Sequence, residues 1–202
     1  MSGNLLARSI HDLTAGAWFG GSLMGAIGLN GATAEAKDPT ERTRLSSLGW
    51  KRWAPVQTAA FAAHLGTWGP LLWENKARYA TQAGVMRWTW IKAGVTVAGA
   101  AVTLYSGILG KKVEELSHQG AVGATEPAPT ASPELAKAQE QLRMLQWAIP
   151  AFAGTVIVLG AKHGEMQRPR NLRPKGLGTV LALADLTPAR GTSRVVRALL
   201  AS

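Results

Sequence analysis

Residues 88–110 read WTWIKAGVTVAGAAVTLYSGILG, and Lys92 is the single charged side chain among them. About 20 apolar residues in a helix cross the ~30 Å hydrocarbon layer of a bilayer. Trp88 and Trp90 stand at one end of the stretch and Tyr105 near the other, where amphipathic rings meet the boundary between lipid tails and head groups. The run does not alternate, as a barrel strand must. A helix also satisfies its own backbone hydrogen bonds, which lipid cannot do for it. The stretch is therefore predicted to be a membrane span.

Three further stretches of this kind flank it. The first covers about residues 13–32 and the second about 53–73, closed by Trp53 and Trp73, with Trp50 just outside. The last covers about 145–161 and opens at Trp147. Together they predict an all-α fold, an integral membrane four-helix bundle over residues 1–162, followed by a basic, partly helical C-terminal tail over 163–202. Trp50, Trp53, Trp73, Trp88, Trp90 and Trp147 are expected at the membrane interfaces. A soluble Ala-rich helical bundle is the alternative, but such a bundle has no need to place indoles at its helix ends.

Composition agrees with spans built from small residues. Charged residues make up 17% of the 202, and mean hydropathy is only +0.03 because Ala and Gly outnumber Leu and Ile in the apolar stretches. With no cysteine, disulfides, thiolate zinc sites and iron–sulfur clusters within the chain are excluded. With one Arg before its glycine-rich apolar run and no clear cleavage site, the first apolar segment is read as a retained span rather than a signal peptide. The Ala/Gly/Arg-rich usage suggests a high-GC bacterial genome and hence an inner membrane.

The connection over 111–144 begins with the helical KKVEEL and passes through GAVGATEPAPTASP, where Pro127, Pro129 and Pro133 predict a flexible extended link. Ser132-Pro133-Glu134 is a helix start: a capping hydroxyl, a proline in the first turn and an acid at the positive helix end. Four spans put both termini on one side. That side carries twelve Lys and Arg against nine on the other, which favours cytoplasmic termini. The margin vanishes when the distal Arg190, Arg194 and Arg197 are set aside.

The net charge is +10, yet the basic residues are spread over several loops and no nucleic-acid recognition fold is visible, so no nucleic acid is expected as a partner. Arg168, Arg170, Arg173 and Lys175 suit an anionic membrane surface or a partner protein. Gly16, Gly20, Gly21 and Gly25 form two G-x-x-x-G pairs in the first span, a spacing that lets another backbone approach closely.

Two ionisable residues fall inside spans. His64 is placed near the middle of the second, where a haem ligand, a proton relay or a neutral hydrogen-bonding imidazole are the alternatives. Bis-histidine haem ligation needs a second histidine at matching depth, and His11, His118 and His163 all fall outside the spans or at their ends, so no cofactor is expected. Lys92 reads as a lipid or partner contact whose stem snorkels to the interface. No P-loop, H-E-x-x-H, G-x-S-x-G or dinucleotide fingerprint is present. The expected function is that of a non-catalytic accessory or scaffold subunit of a larger membrane assembly, in contact with lipids and other subunits or a second copy. A small redox or transport protein using His64 and Lys92 is the alternative.

Overall fold

The computed structural model describes residues 5–168, and these are almost entirely helical. Helix α1 (Leu5–Met24) continues through a π turn at Gly25–Leu29 into α2 (Asn30–Ala34). In the π turn the Asn30 N–H reaches back to the Gly25 carbonyl. The extra residue re-aims the helix face that follows, and the Asn30 side chain is buried.

Helix α3 (Pro39–Gly66) begins well before the apolar stretch that marked the second span. Its start is fixed by Asp38, whose carboxylate accepts from the Thr40 N–H and hydroxyl, both at 2.8 Å. Those bonds hold the Asp38 carboxyl below its ordinary pKa. Pro39 occupies the first turn, where a missing N–H costs nothing. The polar segment expected as a connection over 33–52 is therefore mostly helix. At the other end α3 stops at Gly66, and a short α4 (Trp68–Glu74) follows, with Pro70 in its first turn rather than kinking a longer helix. Helix α5 (Lys76–Thr81) leads to Gly84, whose φ of 80° turns the chain into α6.

Helices α6 (Val85–Glu115) and α7 (Pro133–Glu165) are the long ones, at 31 and 33 residues. The α7 start matches its sequence signature: the Ser132 hydroxyl accepts from the Leu135 N–H at 3.3 Å, with Pro133 in the first turn. Among the described residues, α6 and α7 are the two helices long and apolar enough to cross a membrane. That is fewer than the four stretches marked from the sequence. In α3 the reason is plain: Glu41, Arg42, Arg44, Lys51 and Arg52 occupy its first half, and residues 53–66 are too few to span.

Cross-helix contacts set an up-down-up-down order. Asn30 meets Ser46 at one end and His11 meets His64 at the other, so α3 runs against α1. Lys112 pairs with Glu134 at 2.6 Å, so α7 runs against α6. Arg8 donates to the Gln167 side-chain oxygen at 3.1 Å, which brings the beginning of α1 beside the end of α7.

Two apolar clusters fill the bundle. Ala15, Trp18, Ile149, Ala153 and Val156 form one, and Leu109, Val113, Leu135 and Ala138 the other. Trp18 is buried and its indole N–H donates to the Thr103 hydroxyl at 3.2 Å.

The proline-rich connection is not the flexible link its composition predicts. Residues Ala121–Gly123 (β1) and Glu126–Pro127 (β2) pair as a short antiparallel hairpin. Arg42 donates from Nη1 to the carbonyls of Ala121 and Val122, both at 3.2 Å. Fully buried Gln139 donates to those of Gly123 and Ala124, both at 3.1 Å. Side chains of α3 and α7 thus satisfy carbonyls that the tiny hairpin leaves free, a tertiary effect that local composition does not carry.

Candidate functional site

The G-x-x-x-G pairs of α1 divide between two faces. A Cβ on Gly21 would overlap the Trp53 ring and one on Gly25 the Trp50 ring, whereas Gly16 and Gly20 have nothing within 4 Å of that position. The second pair therefore receives two indoles of this chain's own α3, and the first pair lies open. Trp50 and Trp53 are half-buried against α1. Trp50 donates to Asn30 Oδ1 at 3.1 Å and Trp53 to Gln57 Oε1 at 2.9 Å. Trp73, Trp90 and Trp147 are exposed. The Trp88 ring carries Lys162 Nζ at 3.5 Å from its centroid, and the Trp73 ring carries Lys76 Nζ at 3.8 Å.

Asn30 is a polar hub at this end of the bundle. Its Oδ1 accepts from the Ser46 hydroxyl at 2.9 Å as well as from Trp50, and its Nδ2 donates to Gln146 Oε1 at 3.0 Å. One amide thus ties α2 to α3 and α7.

A second polar centre lies at the opposite end, where His64 sits two residues before the end of α3 rather than at mid-span. His11 of α1 stacks on it, ring centroids 3.8 Å apart and planes at 22°. By sequence His11 falls at a span end, and the antiparallel packing of α1 on α3 brings it to the depth of His64. Lys92 does not snorkel outward. Its ammonium donates to His11 Nε2 at 2.9 Å and would lie 3.4 Å from a Cβ on Gly160 of α7, so glycine there leaves it room.

The donors and acceptors form a directed chain. A lysine ammonium can only donate, so His11 Nε2 accepts and its Nδ1–H donates to the Thr67 hydroxyl at 2.9 Å. Thr67 in turn donates to the His64 carbonyl at 2.6 Å. His64 Nδ1–H points at the His11 carbonyl, 3.1 Å away, with the Thr14 oxygen at 3.2 Å. These tautomers follow from the partners. His64 Nε2 is left as a buried lone pair with no partner among the described residues. Bis-histidine haem ligation needs two imidazoles aimed at one iron from opposite sides, whereas His11 and His64 lie face to face.

Beside this network is a cavity of about 660 Å³. Arg8, Arg78, Lys92, His11 and His163 supply its basic groups and Asp12 a carboxylate. Arg78 donates to Gln82 Oε1 at 3.1 Å and Asn75 Oδ1 at 2.9 Å, and its Nη2 has no partner among the described residues. Burial holds the Arg78 guanidinium below its ordinary pKa. The apolar wall includes Leu72, Met86 and Trp90, which are also exposed on the outer surface. Thr67 and Arg78 carry no signal in the sequence, and His163 stands there only as a histidine outside the spans or at their ends. His11 and Asp12, adjacent in the chain, both line the cavity.

Arg168 forms an ion pair with Glu165 at 2.8 Å. Arg170, Arg173 and Lys175 lie outside the described residues. No group of three or more His, Cys, Asp or Glu side chains among the described residues is arranged to hold a metal ion. Comparison with protein-family models, curated proteins and solved structures gave no match.

Proposed function

We propose that this chain is a multi-pass protein of a bacterial inner membrane, with both termini on the cytoplasmic side, acting as an accessory subunit of a larger membrane assembly. The observation that carries the membrane reading is a belt of exposed apolar side chains between two polar levels. Leu13, Met24, Val56, Val97, Leu104, Ile108 and Val158 are all at least half exposed. His11, Asn30, His64, Thr67 and Gln139 are buried. In water that distribution is unfavourable by about 25 cal/mol for each Å² of apolar surface left exposed. In lipid it is the favourable one, because interhelical polar contacts face inward.

The spacing of the two levels supports the same reading. His11 and Asn30 are separated along one continuous helix by a rise of about 28 Å, close to the ~30 Å hydrocarbon thickness. Trp50 shares the Asn30 level, and Gln146, next to Trp147, is bonded to Asn30. Trp68 and Trp90 line the cavity at the His11 level. The proximity of Arg8 to Gln167 supports an even number of crossings.

The accessory role rests on the open Gly16/Gly20 face, where no described side chain of this chain lies within 4 Å of an added Cβ. Gly20→Leu is expected to leave folding intact, because no Cβ neighbour exists there, while removing stoichiometric companions from protein purified in mild detergent. Companion subunits identified by mass spectrometry with the wild type and lost with the variant support the role. A wild-type chain that purifies as a lone monomer contradicts it. The cavity and the Lys92–His11 contact favour a second reading, a small transport protein working through that end of the bundle.

A further inference from the structure

We infer that the cavity at the His11 end is a binding site for an amphiphile with a phosphate-type anionic head and an apolar tail. The inference rests on the membrane reading only for the source of that ligand, since anionic lipids are the amphiphiles a bilayer supplies.

The head group follows from charge and from unused donors. Among the described residues, Arg8, Arg78 and Lys92 face one cavity against a single lining carboxylate, Asp12. Glu74 pairs with Arg8 at 3.6 Å and offsets part of that charge, leaving the balance positive. Lys92 spends one donor on His11, and Arg78 spends two on the neutral amides of Gln82 and Asn75. Both cations therefore retain N–H groups for an anion, and among the described residues neither has a carboxylate within hydrogen-bonding distance. Charge-assisted bonds of this kind are stronger than neutral ones and favour phosphate. A cationic ligand would meet this positive balance as like charge.

The tail follows from the shape of the wall. Met86 and Trp90 lie one turn apart on α6, Leu72 lines the cavity with them from α4, and all three are exposed. The cavity thus opens sideways between α4 and α6, toward the surface proposed to face lipid. Its volume, about 660 Å³, lies in the ordinary range for a small-molecule site. A free inorganic anion would satisfy the cations and leave the apolar wall empty.

The test titrates the full chain in nonionic maltoside micelles with three probes: dihexanoyl phosphatidic acid, dihexanoyl phosphatidylcholine and inorganic phosphate. Calorimetry reads the affinities. Phosphatidic acid is expected to bind at least about tenfold more tightly than either other probe. Arg78→Gln and Lys92→Gln are each expected to weaken it by about tenfold or more. Gly164→Leu provides a variant of a different kind: Gly164 lines the cavity and a Cβ there meets nothing within 4 Å, so the added side chain narrows the site and should weaken binding. Melting curves establish that each variant is folded. Equal affinity for phosphatidylcholine would remove the role of charge, and equal affinity for inorganic phosphate would remove the tail. Absence of binding by the wild type overturns the site outright. The selectivity of the wild type needs no variant at all. Failure of the membrane reading would show separately, as extraction of the chain into buffer without detergent.

Discussion

Gly99→Ala is expected to lower the unfolding free energy by about 2 kcal/mol, while Gly107→Ala, two turns further along α6, is expected to be neutral or slightly stabilising. A Cβ on Gly99 would lie 2.5 Å from Trp18 Cη2 and 2.8 Å from Phe152 Cβ. Neither neighbour yields cheaply. Trp18 is buried with its N–H committed to Thr103, and Phe152 Cβ is fixed to the α7 backbone. At Gly107 nothing lies within 4 Å, so the gain in helix propensity, up to about 1 kcal/mol in water, meets no opposing clash. Unfolding in mixed micelles, read by near-ultraviolet circular dichroism, measures both. Equal effects of the two variants would mean that α1, α6 and α7 do not meet at Gly99.

Asn30→Leu is expected to cost about 3 kcal/mol, because it removes one side chain and strands three. The Ser46 hydroxyl, the Trp50 N–H and the Gln146 carbonyl oxygen all lose their Asn30 partner. Partners found elsewhere in the unfolded state make polar contacts in membranes worth less, roughly 0.6 kcal/mol on average. The estimate therefore rests on stranding several groups at once rather than on one bond. Added to Asn30→Leu, the changes Ser46→Ala and Trp50→Phe should each cost less than they do alone, since the bond each breaks is already gone. Full additivity in the same unfolding assay would show that Asn30 does not act as a hub.

How much of this was legible in the sequence differs from element to element. Helices α6 and α7 were, because their apolar runs are long and Ser132-Pro133-Glu134 signals a start that the structure repeats. The start of α3 was equally written, as Asp38-Pro39 with Glu41 in the first turn, but the polar composition of 33–52 outweighed the capping signal. The hairpin at 121–127 was not legible, since Arg42 and Gln139 hold it from distant helices.

At the site, His64 and Lys92 stood out because charge inside an apolar run is costly. Their partners did not, because the register between α1 and α3 is not a spacing along the chain. Reading the second span to Trp73 placed His64 at mid-depth. The break at Gly66–Thr67 moves it to the helix end, where His11, Thr67 and Lys92 converge. The tryptophans show the same limit. Their clustering near two levels was visible, but the turning of Trp50 and Trp53 onto Gly25 and Gly21 depends on which face of α1 meets α3.

The most direct test of the membrane account uses the absence of cysteine in the chain, which makes any introduced thiol the only one. Val97 is 63% exposed and Val158 67%, on the outer faces of α6 and α7. Thr81 and Thr130 are exposed at opposite ends of the bundle. In native vesicles, Val97→Cys and Val158→Cys should resist a water-soluble maleimide, while Thr81→Cys and Thr130→Cys should each react from one side only, and from opposite sides. If Val97→Cys reacts as fast as Thr130→Cys, the surface around α6 is in water and the membrane account is wrong.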